Sequence, residues 1–203
     1  MAIHALNSET RADILRAALK KFAHSGYAAA SVQQIVDEAK VSKPALYYYF
    51  GDKARLFQSL VDEAHDDRLR LMQAAVGRGK DLKTQLTEIL TASFDYLQQN
   101  RELMRIAFAT AFAAPGEMPD GLRYSDKCER NFEFVHSVVK KALSAGELDK
   151  RFDSRELAFG FYGQLNAYLV SQLLCPDCRL DHSAARRIVE LFLAGASAKK
   201  RGN

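Results

Sequence analysis

Two groups of side chains in this sequence have the residue types and the spacing needed for specific chemistry. The first is a CxxC motif formed by Cys175 and Cys178, with His182 four residues further along the chain. Two thiolates and an imidazole at this spacing are able to hold zinc or another soft metal, and the thiols alone are able to form a redox switch. The alternative is a loop between two helices that contains two cysteines by coincidence, because no fourth metal ligand stands nearby in the sequence.

The second group lies near the start of the chain and consists of residue types that are able to contact nucleic acid. Lys43 is followed by three consecutive tyrosines at 47–49. Neighbouring residues on a helix point about 100° apart, so three such rings cannot all face one core. At least one ring must therefore be exposed or lie at a partner surface. Ser, Tyr, Lys and helix N-termini bind phosphate groups, and Ser31, Tyr48 and Lys53 fit this role.

Start and stop signals place this second group on short helices. Ser31 begins a capping box and a helix over 31–39, and Ser42 caps a shorter helix over 42–49. The turn between these two helices has the length found in a helix-turn-helix. A preceding helix over 10–24 supplies the apolar face that packs beneath both. The second helix of such a motif must turn polar groups outward to reach bases and phosphates.

The rest of the chain also has the periodicity of helices. Clusters of β-branched residues bounded by turn dipeptides are missing, so we expect no sheet. The sequence contains no Gly-rich phosphate loop, HExxH or GxSxG motif, which predicts that the protein is not an enzyme. The net charge of +4 permits nucleic-acid binding without establishing it.

Two features bear on the cellular compartment. The first residues lack a basic region followed by an apolar stretch, so we expect a cytoplasmic protein with reduced thiols. Residues 157–174 form a run of 18 residues without a charge, the lower length limit for a membrane-spanning helix. The run contains Gln164 and Asn166 and has no flanking aromatic belts. A helix buried within the protein explains it better, and we expect no membrane partner.

Residues 10–57 resemble the DNA-binding domain of the tetracycline-repressor (TetR) family of transcriptional regulators. The residues that carry the resemblance are Ile14, Leu15, Ala18, Phe22, Gly26, Tyr27, Ser31, Val32, Ile35, the run 41–50, Lys53, Leu56 and Phe57. It covers about a quarter of the 203 residues. The helical periodicity along the chain predicts an all-α fold of about nine helices. With the resemblance, these helices divide into a three-helix DNA-binding domain over 8–53, a connecting helix over 54–79, and an effector-binding and dimerisation domain over 80–198.

The resemblance also implies which residues meet DNA. The expected set is Ser31, Lys40, Ser42, Lys43, Pro44, Ala45, Tyr47, Tyr48 and Lys53. Pro44 offers a small apolar surface that suits a thymine methyl group. The chain departs from the family at Lys40, where glycine is usual, and at Tyr49, where histidine is common. A left-handed backbone at Lys40 costs about 1 kcal/mol, so this residue either takes that cost, forces a different turn or adds a phosphate contact.

In the C-terminal part, the resemblance implies an apolar effector pocket and a four-helix dimer interface. The candidate pocket residues are Phe94, Met104, Phe108, Phe112, Cys128, Phe132, Tyr162, Gln164 and Asn166. The candidate interface residues are Leu165, Leu169, Leu173, Ile188, Leu191 and Phe192, on helices predicted over 157–173 and 183–196. A dimer would bring two recognition helices to successive major grooves, about 34–36 Å apart.

These features predict a homodimeric repressor that binds a palindromic operator in double-stranded DNA and is released by a small apolar or amphipathic ligand. It requires no cofactor. Two alternatives remain at this point. One is a metal- or thiol-responsive regulator on the same scaffold, which would use Cys175, Cys178 and His182. The other is a helical enzyme or lipid carrier whose N-terminal domain is vestigial.

Overall fold

A computed structural model describes residues 2–114, 116–119, 126–175, 177 and 180–197, with side chains from Glu9 onward. Within these ranges the chain forms nine helices and no strand, which confirms the all-α prediction. The helices are α1 (Ala2–Ala29), α2 (Val32–Ala39), α3 (Lys43–Phe50), α4 (Lys53–Arg78), α5 (Leu82–Gln99), α6 (Arg101–Ala109), α7 (Asp126–Ser144), α8 (Ser154–Leu174) and α9 (His182–Ala196). Of the helices described, none is long and apolar enough to cross a membrane.

Local capping chemistry explains most of the helix ends. The Ser31 side chain accepts a hydrogen bond from the Gln34 amide, and the Gln34 side chain accepts one from the Ser31 amide, as the capping box predicts. An equivalent box at Asp153 opens α8. The end of the first helix is also as predicted, because Gly26 breaks α1 with φ 76° and ψ 168°. The predicted start at residue 10 was wrong, since α1 is already helical from Ala2.

The turn after α2 has a left-handed backbone at Lys40, with φ 56° and ψ 41°. The amide of Val41 donates to the Val36 carbonyl over 3.0 Å, and the amide of Lys40 donates to the Asp37 carbonyl over 3.3 Å. This geometry ends helices most often at glycine, which lacks the steric penalty that a Cβ atom brings. Lys40 therefore takes the strained conformation and does not force a different turn.

The helices form two compact units that do not follow the predicted contiguous boundaries. One unit contains the described residues of 1–65 and 102–125, and the other those of 66–101 and 126–203. The first unit includes α6 because Leu103 and Ile106 are buried in the same apolar cluster as Ile14, Leu46 and Phe57. The domain boundaries predicted from the sequence are 8–53, 54–79 and 80–198. They remain a prediction about how function is divided along the chain and do not describe how the helices pack.

The core of the first unit is closed by an aromatic group and a lysine. The rings of Phe22 and Tyr27 both lie against Phe57, with centroids 5.1 and 5.2 Å away. The Lys53 ammonium lies 4.3 Å from the centre of the Tyr27 ring. It also donates to the carbonyls of Tyr27 and Ala30, over 2.9 and 2.8 Å. Lys53 thus donates to one carbonyl group in the last turn of α1 and to one just after the helix, where carbonyl groups lack intrahelical amide partners.

The core of the second unit is built mainly from four helices. Helix α7 packs on α8, and α5 packs on α9. Phe94 and Phe161 are fully buried, and the ring of Phe161 lies 5.6 Å from that of Phe192. The uncharged run 157–174 is thus largely accounted for by burial of one side of α8 inside this unit. A bridge between Leu148 and Ser197 joins the segment after α7 to the end of α9.

We expect Lys40→Gly to stabilise the protein by about 1 kcal/mol, because glycine adopts the left-handed backbone without the Cβ penalty. Urea denaturation followed by circular dichroism measures the change. Lys40→Ala is the matched control, since it removes the same charged side chain and keeps the Cβ atom. Equal stabilisation by both variants would contradict the backbone explanation.

We expect Lys53→Met to destabilise the protein by about 2 kcal/mol, because two carbonyl groups lose a charged hydrogen-bond donor. Partial burial already lowers the pKa of Lys53 below the ordinary lysine value, so the contact carries a desolvation cost. The same denaturation experiment serves as the measurement, with Lys140→Met on the exposed side of α7 as the control. Unchanged stability would show that the two hydrogen bonds have no net effect on folding.

Candidate nucleic-acid interface

Helices α2 and α3 are joined by the three residues Lys40, Val41 and Ser42, the connection of a helix-turn-helix. Ser42 begins α3 because its side chain accepts a hydrogen bond from the Ala45 amide over 3.3 Å. Pro44 lies in the first turn, where its missing N–H group costs no intrahelical bond. The short helix therefore has a fixed start directly after the turn.

One side of α3 is held in the core. Leu46 is fully buried and Phe50 is 6% exposed, and these positions lie four residues apart on one helix face. The guanidinium of Arg11 covers the outer side of the Phe50 ring, 5.3 Å from its centre. The rotation of α3 about its own axis is thereby fixed.

The opposite side of α3 is an exposed strip of cationic, small and aromatic side chains, namely Lys43, Pro44, Tyr47 and Tyr48, which we call the α3 outer face. Tyr47 is 47% exposed and Tyr48 is 76% exposed, so the prediction that at least one ring lies outside is confirmed. Tyr49 packs partly against the core and meets Tyr48 edge-on at 5.1 Å. The family position at which histidine is common is therefore a packing position in this chain.

Further groups near the α3 outer face are polar and accessible. Ser31 and Ser42 are exposed at the N-termini of α2 and α3, where backbone amides favour anions. Each hydroxyl accepts a capping hydrogen bond, which leaves its own O–H group able to donate. Lys40 and Lys43 are exposed, and neither forms an ion pair with any described residue. This set combines donors and positive charge, as phosphate contacts require. Ala45 is half-buried beneath it.

Lys53 has a different environment from the one expected of a phosphate contact. Its ammonium is half-buried and donates to two carbonyl groups at the end of α1. A lysine has three N–H donors, so at most one remains for another partner in this arrangement. The structure gives Lys53 a fold-supporting role that sequence spacing did not predict.

The candidate effector residues divide between the two units. The second unit brings together Cys128, Phe132, Tyr162 and Asn166 from α7 and α8. Phe94 is fully buried in α5 of the same unit, and Gln164 has a buried carbonyl oxygen without a hydrogen-bond partner.

Three candidate effector residues, Met104, Phe108 and Phe112, belong to the first unit. Met104 is fully buried and Phe108 is half-buried. Phe112 is 84% exposed, which contradicts its assignment to the wall of an enclosed pocket.

One polar residue of the second unit was missed by sequence reasoning. Arg68 is only 4% exposed on α4, and its side chain donates to Asn166 over 3.0 Å. The surrounding run 66–70 is rich in charge, so Arg68 looked like part of a solvated face. Its helical spacing could have indicated its burial. Arg68 precedes Met72 by four residues, Met72 precedes Ala75 by three, and all three are buried on one face of α4.

The predicted dimer interface needs correction. Leu165, Leu169, Ile188 and Phe192 are between fully buried and 8% exposed within the single chain, so they belong to its own core. Leu173 is half-buried, while Leu191 is 65% exposed. Helices α8 and α9 each bury an apolar side inside the subunit. Helical periodicity alone does not identify which apolar side is the internal one.

The CxxC segment forms no metal site in the described part of the chain. Cys175 is exposed and forms no disulfide with a described residue, and Cys178 lies outside the described residues. The ring of His182 contacts Thr91 over 3.2 Å and lies 4.0 Å from Glu88. Within the ranges described, no three His, Cys, Asp or Glu side chains are grouped so as to hold a metal ion. The geometry gives the metal-responsive alternative no support.

Comparison with known proteins agrees with the helix-turn-helix geometry. Residues 14–60 match the family model described as bacterial regulatory proteins, tetR family. The HTH-type transcriptional regulator ArpR of Pseudomonas putida is 37% identical over 180 residues, which cover 83% of this chain and 82% of that protein. The transcriptional activator FasR of Mycolicibacterium smegmatis is 31% identical over 100 residues, or 49% of this chain, and the match spans less than half of that relative's length, 46%.

A solved structure shares the fold over nearly the whole chain. The regulator FadR of Bacillus subtilis, in complex with stearoyl-CoA, superposes with a TM-score of 0.74 at 19% sequence identity, covering 90% of this chain and 97% of that chain. The identity to ArpR extends through most of both proteins, and the family model falls on the helices that build the α3 outer face. This chain belongs to the TetR family, whose members are DNA-binding transcriptional regulators and not enzymes.

Proposed function

We propose that the protein is a homodimeric repressor that inserts α3 into the major groove of a palindromic operator and releases it when a small molecule binds the second unit. The observation that carries the proposal is the α3 outer face. Its residues Lys43, Pro44, Tyr47 and Tyr48 are exposed on a helix whose other side is fixed in the core. The proposed place of action is the cytoplasm.

Roles at the DNA follow from residue chemistry. We assign Lys43 and Lys40 to phosphate groups, because each is an exposed ammonium at the start of α3 or in the turn before it. Ser31 and Ser42 donate their hydroxyl hydrogens to phosphate oxygens at two helix N-termini. Pro44 meets a thymine methyl group, and Ala45 lies behind it. The tyrosines, which reach furthest from the core, contact the backbone or base edges.

A dimer is supported by the exposed apolar side of α8 and α9. Gly160, Gly163 and Ala167 are exposed at helical spacing on α8, and small residues of this kind let two helices approach closely. Leu174 is 81% exposed and Leu191 is 65% exposed in the single chain. Exposed apolar side chains of this size are typical of a surface that a partner covers, and a second copy gives a closed two-fold interface.

Release from DNA follows from population shift. A ligand that binds a DNA-incompatible arrangement of the dimer more tightly than the DNA-bound one moves the population away from the operator. The structure of FadR contains stearoyl-CoA, which supports ligand control in a protein of this fold. The buried polar group of Arg68, Tyr162 and Asn166 supports a ligand site in the second unit of this chain.

We expect the α3 outer face to determine operator affinity. Wild-type protein first selects an operator from a library of random duplexes, and fluorescence anisotropy then measures affinity against salt concentration. Lys43→Ala should weaken binding to all duplexes and reduce the salt slope by about 1, because one phosphate contact is lost. Tyr48→Ala should weaken operator binding by about 1–3 kcal/mol.

The control for both variants is Lys140→Ala, which removes an exposed charge from α7 of the second unit. It should leave the affinity and the salt slope unchanged. A wild-type protein that prefers no duplex over another would overturn the proposed function. If both α3 variants keep the wild-type operator affinity, the protein can still be a regulator, but α3 is not its contact with DNA.

We expect Leu191→Glu to convert the dimer to a monomer, because a carboxylate cannot be buried in an apolar interface without a partner. Light scattering coupled to size-exclusion chromatography measures the mass. Ser137→Glu, which places the same charge on an exposed position of α7, is the matched control and should remain dimeric. A wild-type protein that is monomeric, or a Leu191→Glu variant that is still a dimer with wild-type affinity for itself, would contradict this interface.

A further inference from the structure

The lysine and arginine side chains of the first unit differ in whether they have a partner inside that unit. Most pair with a carboxylate or donate to a carbonyl oxygen: Arg16 to Asp13, Lys20 and Lys21 to Glu38, Arg55 to Asp52, Lys53 to Tyr27 and Ala30, and Arg105 to Ala23. The side chains of Arg11, Lys40 and Lys43 form no hydrogen bond or ion pair with a described residue. Lys40 and Lys43 are already assigned to phosphate groups, so Arg11 is the cation that still lacks a role.

Arg11 is held in place by an aromatic ring and not by an acid. It is exposed on α1, and its guanidinium lies over the ring of Phe50, 5.3 Å from the ring centre. A guanidinium over a ring is attracted through its face, and its N–H donors are at its edge. The contact also limits the conformations of a long side chain, so less entropy is lost when those donors bind an acceptor. Arg11 is therefore a positioned cation without a described acceptor.

Arg11 and Lys43 lie at opposite ends of α3. Lys43 is the first residue of this helix, whereas Arg11 lies over the ring of Phe50, its last residue. The 8 residues of α3, at about 1.5 Å each, give it a length of about 12 Å. The major groove of B-DNA is about 12 Å wide and is bounded by the phosphates of two strands. A helix in this groove with a cation at each end has donors for the phosphates on both sides.

We propose that Arg11 binds a backbone phosphate of the operator on the strand opposite to the one that Lys43 contacts. Phosphate matches a guanidinium well, because two of its oxygens accept from two N–H groups in parallel. Arg11 precedes the residues 14–60 that match the family model, and helix-turn-helix spacing gave no reason to include it among the DNA contacts. The inference rests on the proposed function, because it adds a residue to the contact between α3 and DNA.

The salt dependence of operator affinity tests the contact on the full-length protein, with the operator that the wild-type protein selects. Arg11→Met should weaken binding several-fold and lower the salt slope by about 1 for each subunit bound, because one phosphate contact is lost. Arg16→Met is the matched control: Arg16 is on the same helix, its side chain is 77% exposed, and it pairs with Asp13. Both variants remove one positive charge from α1. If Arg11→Met lowers the slope no more than Arg16→Met does, the proposal is overturned.

Arg11→Lys separates the phosphate contact from a merely structural role. It keeps the positive charge that binds phosphate and loses the planar group that lies over Phe50. We expect the wild-type salt slope to be retained, and circular dichroism checks that each variant is folded. A slope that falls in Arg11→Lys as far as in Arg11→Met would show that the loss comes from the packing of α1 on α3, and would overturn the contact.

Neutral phosphates in the DNA test the same contact from the other side. Operator duplexes that carry a single methylphosphonate, in which a methyl group replaces one charged oxygen, are scanned across each half-site. At one position per half-site the change should weaken wild-type binding several-fold and have no further effect on Arg11→Met. If every position weakens Arg11→Met as much as it weakens the wild type, the proposal is overturned.

The same scan with Lys43→Ala tests the placement across the groove. The phosphate coupled to Lys43 should lie on one strand and the phosphate coupled to Arg11 on the other. Both phosphates on one strand would overturn this placement.

Separate outcomes distinguish this proposal from the proposed function. A clear operator preference together with equal salt slopes for Arg11→Met and the wild type would leave the repressor standing and overturn the role of Arg11. A wild-type protein that prefers no duplex over another would overturn the proposed function. In that case the salt slopes of Arg11→Met and Arg16→Met on an arbitrary duplex still decide whether Arg11 binds phosphate, since phosphate contacts do not depend on sequence.

Discussion

The orientation of α3 depends on the burial of two side chains, Leu46 and Phe50. Complete burial of a large apolar side chain contributes about 1.5–3 kcal/mol, so rotating α3 to present another face would expose both and cost several kcal/mol. The core of the protein therefore orients the α3 outer face in the absence of DNA. Because Ser42 fixes the first residue of the helix as well, both its rotation and its starting point are set by contacts within one small unit.

Much of the fold was predictable because the helix ends depend on interactions between residues that are close in the sequence. The capping boxes at Ser31 and Asp153 and the break at Gly26 involve residues at most four apart, so sequence spacing identifies them directly. The grouping of α6 with the N-terminal helices was not predictable, because it depends on the burial of Leu103 in the same apolar cluster as Leu46, which lies far away in the chain. No short-range signal marks that kind of contact.

The candidate site was also predictable only where its features depend on residues close in the sequence. The exposure of Tyr48 follows from helix geometry alone, whereas the use of Lys53 on the carbonyl groups of α1 requires the folded arrangement of two distant segments. Periodicity identified α8 and α9 as helices, but not which of their apolar residues are internal, so Leu165 was assigned to the dimer interface although it is buried within the single chain. Arg68 was missed because charged neighbours concealed its position on the buried side of α4.

In the proposed complex with DNA, Ser42 meets two requirements at once. Its oxygen accepts from the Ala45 amide and begins α3, while its hydroxyl hydrogen stays available to donate to a group that approaches the N-terminus of that helix. A lineage that changes its operator preference at this position must therefore keep a side chain that caps a helix. Serine, threonine, asparagine and aspartate cap best, and the negative charge of aspartate would face phosphate. The residues that this position can adopt are accordingly close to serine, threonine and asparagine. If α3 contacts DNA as proposed, changes in operator preference are therefore expected at Lys43, Pro44 and the tyrosines.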